Sequence, residues 1–583
     1  MTHEPAFRRM EQHPLRLHVA AHARAFPEGT PHGAAARPLA PGEISDLRHN
    51  GCTAASWELV RVVDGCPLDG VRNVSFGGHC LIGLGDAAWP APVLDRVRLE
   101  NAWVGRGVAM RDVGMVRSAV VSGPGTELLA VTLVQCTGTR SFGLGEPIVF
   151  APGNGRRALP ALPGIWSTDL EPLARLPLEA PARTGYLSRC RDIAISWHGD
   201  FCCIGPDTVL VGCGIVEDSA LSHVRAEMAP RICRSVLAGE PGRPAALRVP
   251  GVVERTVAGP GAEIATGACT DLVFLAEASW ARDGARVHSS IIAPNSGVGS
   301  GELRYSFLGP FVGFSHEALC IAAFWPGGRG NVSYGANVGS NHTGRAADQE
   351  YWGGEGVFHG LDCAIKYPAD TTRAPYTLIA SGVVCLPQRL EFPFSLVNAP
   401  GHAAPGLPPA YNELVPGWQF GANLYGLLRS EAKFAERNRA RYEPLEVQVL
   451  RGEWRPLIED AIIRIEAALA AEPEGTLDSG EGYHTDRTLR GAGKNYVRRS
   501  ALAQAVKHYQ WGLELIAFFD PAERLPHHSG EMPARILADI EATRRRDDGR
   551  GARIIPDYAE IHGTADDDPL VQQWRRRAAG ERA

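Results

Sequence analysis

Val104-Gly105-Arg106-Gly107-Val108-Ala109 leads to Met110 and then to Val116, so an apolar residue recurs at every sixth position. The pattern returns in Ile204-Gly205-Pro206-Asp207-Thr208-Val209, Leu210 and Val216-Glu217-Asp218-Ser219-Ala220-Leu221. A period of six fits neither the 3.6 of a helix nor the 2 of a simple strand. It marks a hexapeptide-repeat β-helix, in which each hexapeptide supplies one short strand and a corner, and three make a triangular coil of roughly 18 residues. The aliphatic side chain points inward, and the small residue after it lets the chain turn without a Cβ clash. Such a column is filled, so any function sits on its outside or between neighbouring columns.

The rest of the chain organises around that pattern. Residues 1–48 are His-, Pro- and Ala-rich and read as a poorly ordered lead-in. Residues 49–150 form a first β-helix part, with a short helix near Thr53 or Ser56 and a strand at Val71–Phe76. Residues 151–185, rich in Pro and Arg, read as an insertion. Strand signals resume at Ile193-Ala194-Ile195-Ser196-Trp197, and 186–397 form the second β-helix part, with an irregular stretch from Pro230 to Gly261. Residues 398–420 read as a Pro-rich linker. In 421–583, Ile458, Ile462, Ile465 and Leu469 recur at helical spacing. Further helices are expected over Tyr496–Phe519 and Pro533–Arg545. This α-helical region can cover an adjacent subunit or the end of the column, where a bare strand would expose unpaired N–H and C=O groups.

Composition narrows the function. The 66 Gly and 43 Pro favour a turn-rich β protein. A net charge of −6 argues against nucleic acid. The 13 cysteines lack any Cys-x-x-Cys spacing, and reduced thiols point to the cytoplasm. The polar N-terminus does not read as a secretory signal, and no apolar stretch has the length of a membrane span. Phosphate-loop, nucleophile-elbow and HExxH patterns do not occur.

Polar and aromatic residues concentrate between 305 and 376, in Gly-rich sequence that lets a backbone approach a ligand. His359 follows His342 by close to the length of one coil, and His316 precedes His342 by one coil plus a loop. His316 or His342 can serve as a general base, with Asn341 steadying an oxyanion. Alternatively, His316, His342 and His359 can together hold zinc with a water in the open position. Each of them can equally cap a turn or satisfy a buried carbonyl. Lys366, Arg345 and Arg373 can hold an anionic group or be solvated surface cations. Tyr351 and Trp352 can stack on a substrate or anchor a core.

Gly309-Pro310-Phe311 with His316, Ser340-Asn341-His342, and Leu390-Glu391-Phe392-Pro393-Phe394-Ser395 carry a resemblance. On these segments the chain resembles a family of uncharacterised bacterial proteins, a domain of unknown function within the trimeric, acyltransferase-like left-handed β-helix superfamily. The resemblance covers about residues 38–400. It implies a mainly β fold, a left-handed parallel β-helix with insertions followed by a C-terminal α-helical region. Most members of that superfamily are acyltransferases with a His base and acyl-CoA bound between subunits. A minority are zinc enzymes, and others are parts of sugar nucleotidyltransferases. The hexapeptides here are fewer and more interrupted than theirs.

Three functions are therefore expected in turn. The first is a transferase acting on a small polar acceptor (a sugar, amine or nucleotide sugar), with acyl-CoA or a nucleotide sugar as cofactor or donor. The second is a zinc-dependent hydrolase or lyase. The third is a non-catalytic scaffold or ligand-binding solenoid. A small-molecule substrate and a homo-oligomer are expected, with neither nucleic acid nor membrane as partner.

Overall fold

The computed structural model describes residues 4–23, 25–29, 35–138, 140–150, 157–340, 350–520 and 531–580. The fold is a β-solenoid of mainly parallel strands, about 18 turns in all, and helices follow in the chain from residue 418 on. The chain forms two compact units. One comprises Met1–Pro326, Arg345–Glu350 and Arg439–Glu443; the other comprises Gly327–Gly344, Tyr351–Asn438 and Pro444–Ala583.

In the first unit the two quoted stretches belong to one ladder. Val121 pairs with Ile204, Ile204 with Leu221, and Leu221 with Leu237. A second face stacks Leu128, Leu210, Ala226 and Leu247. A third stacks Val134, Val216, Ile232 and Val253. All of these side chains are buried. The spacing is less uniform than a pure hexapeptide repeat. Inner residues fall at 204, 210, 216, 221, 226, 232 and 237, mixing steps of six and five, so these coils are shorter than three full hexapeptides.

The corner residue lies two positions after the inner one, and it is often not glycine. Asp218 (φ 48°), His223 (51°), Met228 (50°) and Arg234 (46°) all adopt the left-handed conformation there. A non-glycine residue in that region costs about 1–2 kcal/mol. Burial of one aliphatic side chain contributes about 1.5–3 kcal/mol. The inner column therefore outweighs the corner strain, and corner identity is left free.

Residues 1–48, expected to be a poorly ordered lead-in, instead hold α1 (Glu4–Glu11), α2 (Pro14–Ala23) and the start of α3 (Pro41–His49). The first two helices bury an apolar face made of Ala6, Met10, Leu15 and Val19. The His18 ring of α2 hydrogen-bonds the Ser122 hydroxyl at 3.0 Å on the solenoid's outer face. The strand Ala36–Pro38 pairs antiparallel with Val60–Val63.

The insertion is wider than expected, running between the strands that end at Gln135 and begin at Cys202. It carries α4 (Ser167–Arg175) and α5 (Pro181–Ile195). The strand expected at Ile193–Trp197 is the end of α5 and the turn after it. Pro181 suits a first helical turn, and Tyr186, Cys190, Ile193 and Ala194 are buried at the spacing of one helix face. The stretch from Pro230 to Gly261, expected to be irregular, contains four regular strands, Arg231–Cys233, Val236–Ala238, Ala245–Arg248 and Val252–Ala258.

In the second unit, His359, Ile379 and Val397 stack across three turns. The strand Leu396–Asn398 pairs antiparallel with Asn412–Val415, which pairs in turn with Asn495–Arg498. The expected linker thus supplies a strand that closes an open sheet edge. The helices are α6 (Trp418–Ala422), α7 (Leu424–Arg437), α8 (Arg455–Ala470), α9 (Arg499–Phe519), α10 (Glu531–Ile554), α11 (Tyr558–His562) and α12 (Pro569–Ala578). Ile458 and Ile465 lie on the buried face of α8.

Replacing Leu221 by Ala removes a rung from the inner column and should lower unfolding free energy by about 2–5 kcal/mol. Met228→Gly, at a corner, should change it by less than about 1 kcal/mol. Chemical denaturation of the two variants checks the contrast; equal losses would contradict the division into inner column and permissive corner.

Candidate functional site

Of the described residues expected to form one site, His316 falls in the first unit and Tyr351, Trp352, His359, Lys366 and Arg373 in the second. Asn341, His342 and Arg345 lie outside the described residues. His316 is an exposed corner residue with φ 62°. It lies two positions after the inner Phe314, in register with the Val298 turn and its corner Ser300. Met228, Val249, Thr266 and Asp283 are corners on the same face. Apolar, hydroxyl, acidic and imidazole side chains all take this role at the six corners, so a histidine here is explained by the turn alone.

His359 is fully buried. Its Nδ1 lies 3.2 Å from the Asn331 carbonyl oxygen and its Nε2 3.2 Å from the Tyr351 hydroxyl. Burial pushes its pKa down to about 4. Both ring nitrogens are engaged, so His359 satisfies a buried carbonyl rather than offering a metal a lone pair. Tyr351 is also buried, its hydroxyl 3.1 Å from Thr371 Oγ1 and its ring stacked on Tyr367; it is a core anchor rather than a stacking platform for substrate. Trp352 and Lys366 are half-buried, on the strands Tyr351–Trp352 and Ala364–Lys366. Arg373 pairs with Asp460 of α8 at 3.0 Å and with Glu391 at 3.5 Å, which commits it to holding that helix. Among the described residues no group of three or more His, Cys, Asp or Glu is placed to hold a metal ion.

A cleft of about 450 Å³ opens elsewhere, within the first unit. That volume lies in the ~300–1,000 Å³ range of small-molecule sites. Its floor is one column of solenoid corners, Ser222-His223, Gly239-Glu240, Gly259-Pro260 and Ala276-Glu277, with Val257 and Phe274 beside them. The turn between α1 and α2 supplies Gln12 and His13, and the start of α2 supplies Pro14 and Leu15. The insertion supplies Ile165 and Trp166, and Tyr442 and Glu443 complete the wall. Small residues keep the floor open. At Gly239 a Cβ would stand 2.2 Å from the His223 carbonyl oxygen, so that corner admits only glycine.

The charged groups of the wall are already engaged. The Glu277 carboxylate accepts from the Arg441 N–H at 2.7 Å, the Tyr442 N–H at 3.1 Å and the Arg243 guanidinium. Glu240 pairs with Arg243 and accepts from the Tyr442 hydroxyl. Glu443 is buried at the N-terminus of α4, accepting from Ser167 N at 3.0 Å, Ser167 Oγ at 2.5 Å and Thr168 N at 2.9 Å. Burial pushes its pKa up against these donors. Arg9 stacks on Trp166 at 3.7 Å and pairs with Asp169.

His223 carries a catalytic-type geometry on this wall. Its Nδ1 lies 3.4 Å from Asp207 Oδ2, and Arg225 Nη2 holds the other oxygen of that carboxylate at 2.7 Å. Burial works to raise the Asp207 pKa, but the hydrogen bonds from Arg225 and His223 outweigh it and hold the carboxyl below its usual range. An ionised carboxylate that orients an imidazole is the arrangement a general base requires.

The cleft was invisible to the sequence pattern because distant segments build it. A usable signal was the run of small residues just after inner positions, namely Ser122, Gly205, Ser222, Gly259 and Ala276, which leaves one outer face bare for helices and ligand.

Comparison with known proteins adds a family but no activity. A family model described as a domain of unknown function, DUF4954, matches residues 36–399. The chain is 26% identical over 170 residues to an uncharacterised protein of Treponema pallidum (strain Nichols), covering 29% of this chain and 22% of that protein.

The buried His359 predicts an acid sensitivity. The unfolded chain takes up this proton near pH 6.5, whereas the folded one does so only near 4. Between those values the unfolded state binds more protons, so stability holds above pH 6.5 and falls as pH drops toward 4, by up to about 3 kcal/mol for this group. His359→Gln should flatten the decline of the thermal midpoint between pH 6.5 and 4 by one such share. An unchanged slope would show that this imidazole protonates normally in the folded protein.

Proposed function

The chain belongs to the family of the domain of unknown function DUF4954, and from that premise we propose that it is a ligand-binding β-solenoid whose cleft takes one small, uncharged, mainly apolar molecule. The observation that carries this is the cleft itself, about 450 Å³ in volume and walled by Leu15, Ile165, Trp166, Val257 and Phe274. Charge selects against anions. The wall holds Glu240, Glu277 and Glu443 against Arg9, and Arg243 neutralises only part of that surplus. An acyl-CoA headgroup or a nucleotide sugar is therefore poorly matched to this cleft.

The transferase expectation is a second reading, and the His223–Asp207 pair favours it. In this reading the base moves from His316 or His342 to His223, which takes the proton of a hydroxyl or amine on an acceptor bound in the cleft. The finer kinship, with left-handed hexapeptide-repeat acyltransferase-like solenoids, belongs to this proposal and is supported by three-faced coils whose inner positions recur at steps of five and six. Self-association and a cytoplasmic location are part of the same proposal and rest on the sequence alone.

Nile red, an uncharged apolar dye, should bind the purified protein, and Ala276→Phe, which fills the floor, should abolish binding while the far-ultraviolet circular dichroism stays the same. Binding unaffected by that variant, or absent from the parent protein, would remove the cleft as the site. Once a turnover substrate is known, His223→Ala should lower kcat about 100-fold or more and His316→Ala should leave it unchanged; the reverse result restores the original assignment.

A further inference from the structure

His13 stands between α1 and α2 and forms part of the cleft wall. Its ring lies 6.1 Å from that of Trp197, and its Nδ1 is buried without a hydrogen-bond partner. Among the described residues, neither nitrogen of this imidazole makes a hydrogen bond. Burial pushes its pKa down to about 4, so near neutral pH the ring is uncharged, with one N–H to donate and one lone pair to accept.

Trp197 Nε1 beside it is likewise buried without a partner, whereas the acidic groups of the wall and His223 differ from His13. Glu240, Glu277, Glu443 and His223 each have a partner within the protein. His13 lines the apolar cleft described above, and because Nδ1 is shut off from the surface a ligand's polar group meets the ring at Nε2.

We infer that the ligand of this cleft carries, on its apolar body, a single uncharged hydroxyl or carbonyl group that hydrogen-bonds the His13 imidazole. This rests on the ligand-binding reading above and goes further by naming the ligand's polar group and the residue that selects it. A hydroxyl suits the neutral ring best, since it can both give and receive a hydrogen bond. A carboxylate in the same place meets the acidic surplus of the wall.

The test uses three probes of matched size, 2-phenylethanol, propylbenzene and phenylacetate, titrated calorimetrically into the full-length protein. His13→Phe should weaken 2-phenylethanol binding about two- to tenfold, the range of one hydrogen bond, and leave propylbenzene unchanged or tighter. His13→Gln, which keeps a donor and an acceptor, should retain most of the alcohol affinity. In the parent protein, addition of 2-phenylethanol should shift the nitrogen resonances of His13 and addition of propylbenzene should not, a readout that needs no variant. Phenylacetate should bind at least tenfold more weakly than the alcohol. Equal effects of His13→Phe on alcohol and hydrocarbon, or a nitrogen shift with both, would overturn the role of His13 while leaving the cleft as a binding site. Phenylacetate binding as tightly as the alcohol would overturn the demand for an uncharged group. Failure of both neutral probes to bind the parent protein would overturn the ligand-binding reading itself.

Discussion

Everything in the first unit depends on aliphatic side chains meeting the same face one coil later. A single coil of three short strands is too small to bury a core by itself. Ile204 is covered only because Val121 lies on one side and Leu221 on the other. That mutual cover fixes the parallel register and tolerates left-handed corners at Asp218, His223 and Met228. It also leaves only the outer face for side chains that a ligand can reach, while thiols such as Cys203 and Cys320 are sealed inside. Chemistry then requires a second layer, and α1, α2, the insertion and residues 439–443 provide one over a face whose small side chains leave room.

The parts of the fold that could be read in advance were those set by local periodicity. Val104, Met110 and Val116, and again Ile204, Leu210 and Val216, announced the column, because each inner position is dictated by its own coil. The shorter steps were hidden, since a corner such as Asp218 or His223 can tighten without any change in composition. Ile193 to Trp197 mimicked a strand because its alternating aliphatics match a buried helix end equally well. Helical spacing at Ile458 and Ile465 was plain, since α8 is long enough for its period to show.

The site was less legible, and for a physical reason. The Gly- and His-rich stretch from 305 to 376 looked like a binding segment, but Gly356, Tyr351 and His359 within it serve the column. A Cβ at Gly356 would meet the Tyr376 ring at 2.2 Å, and His359 and Tyr351 satisfy each other in the interior. Composition cannot distinguish a histidine that pairs with a buried tyrosine from one that awaits a substrate. The cleft, by contrast, draws its wall from residues as far apart in the chain as Arg9 and Tyr442, and no window of sequence contains that neighbourhood.

The detour between Gln135 and Cys202 leaves the stack and rejoins it with no rung missing, Val134 resting directly on Val216. Closing a longer excursion adds only about 0.6 kcal/mol for each doubling of its length, far less than one buried aliphatic contributes. The solenoid is thus a spine from which loops can be grown, trimmed or exchanged while the column stays in phase. Diversity of binding surfaces among chains of this architecture can accordingly arise by editing the excursions alone.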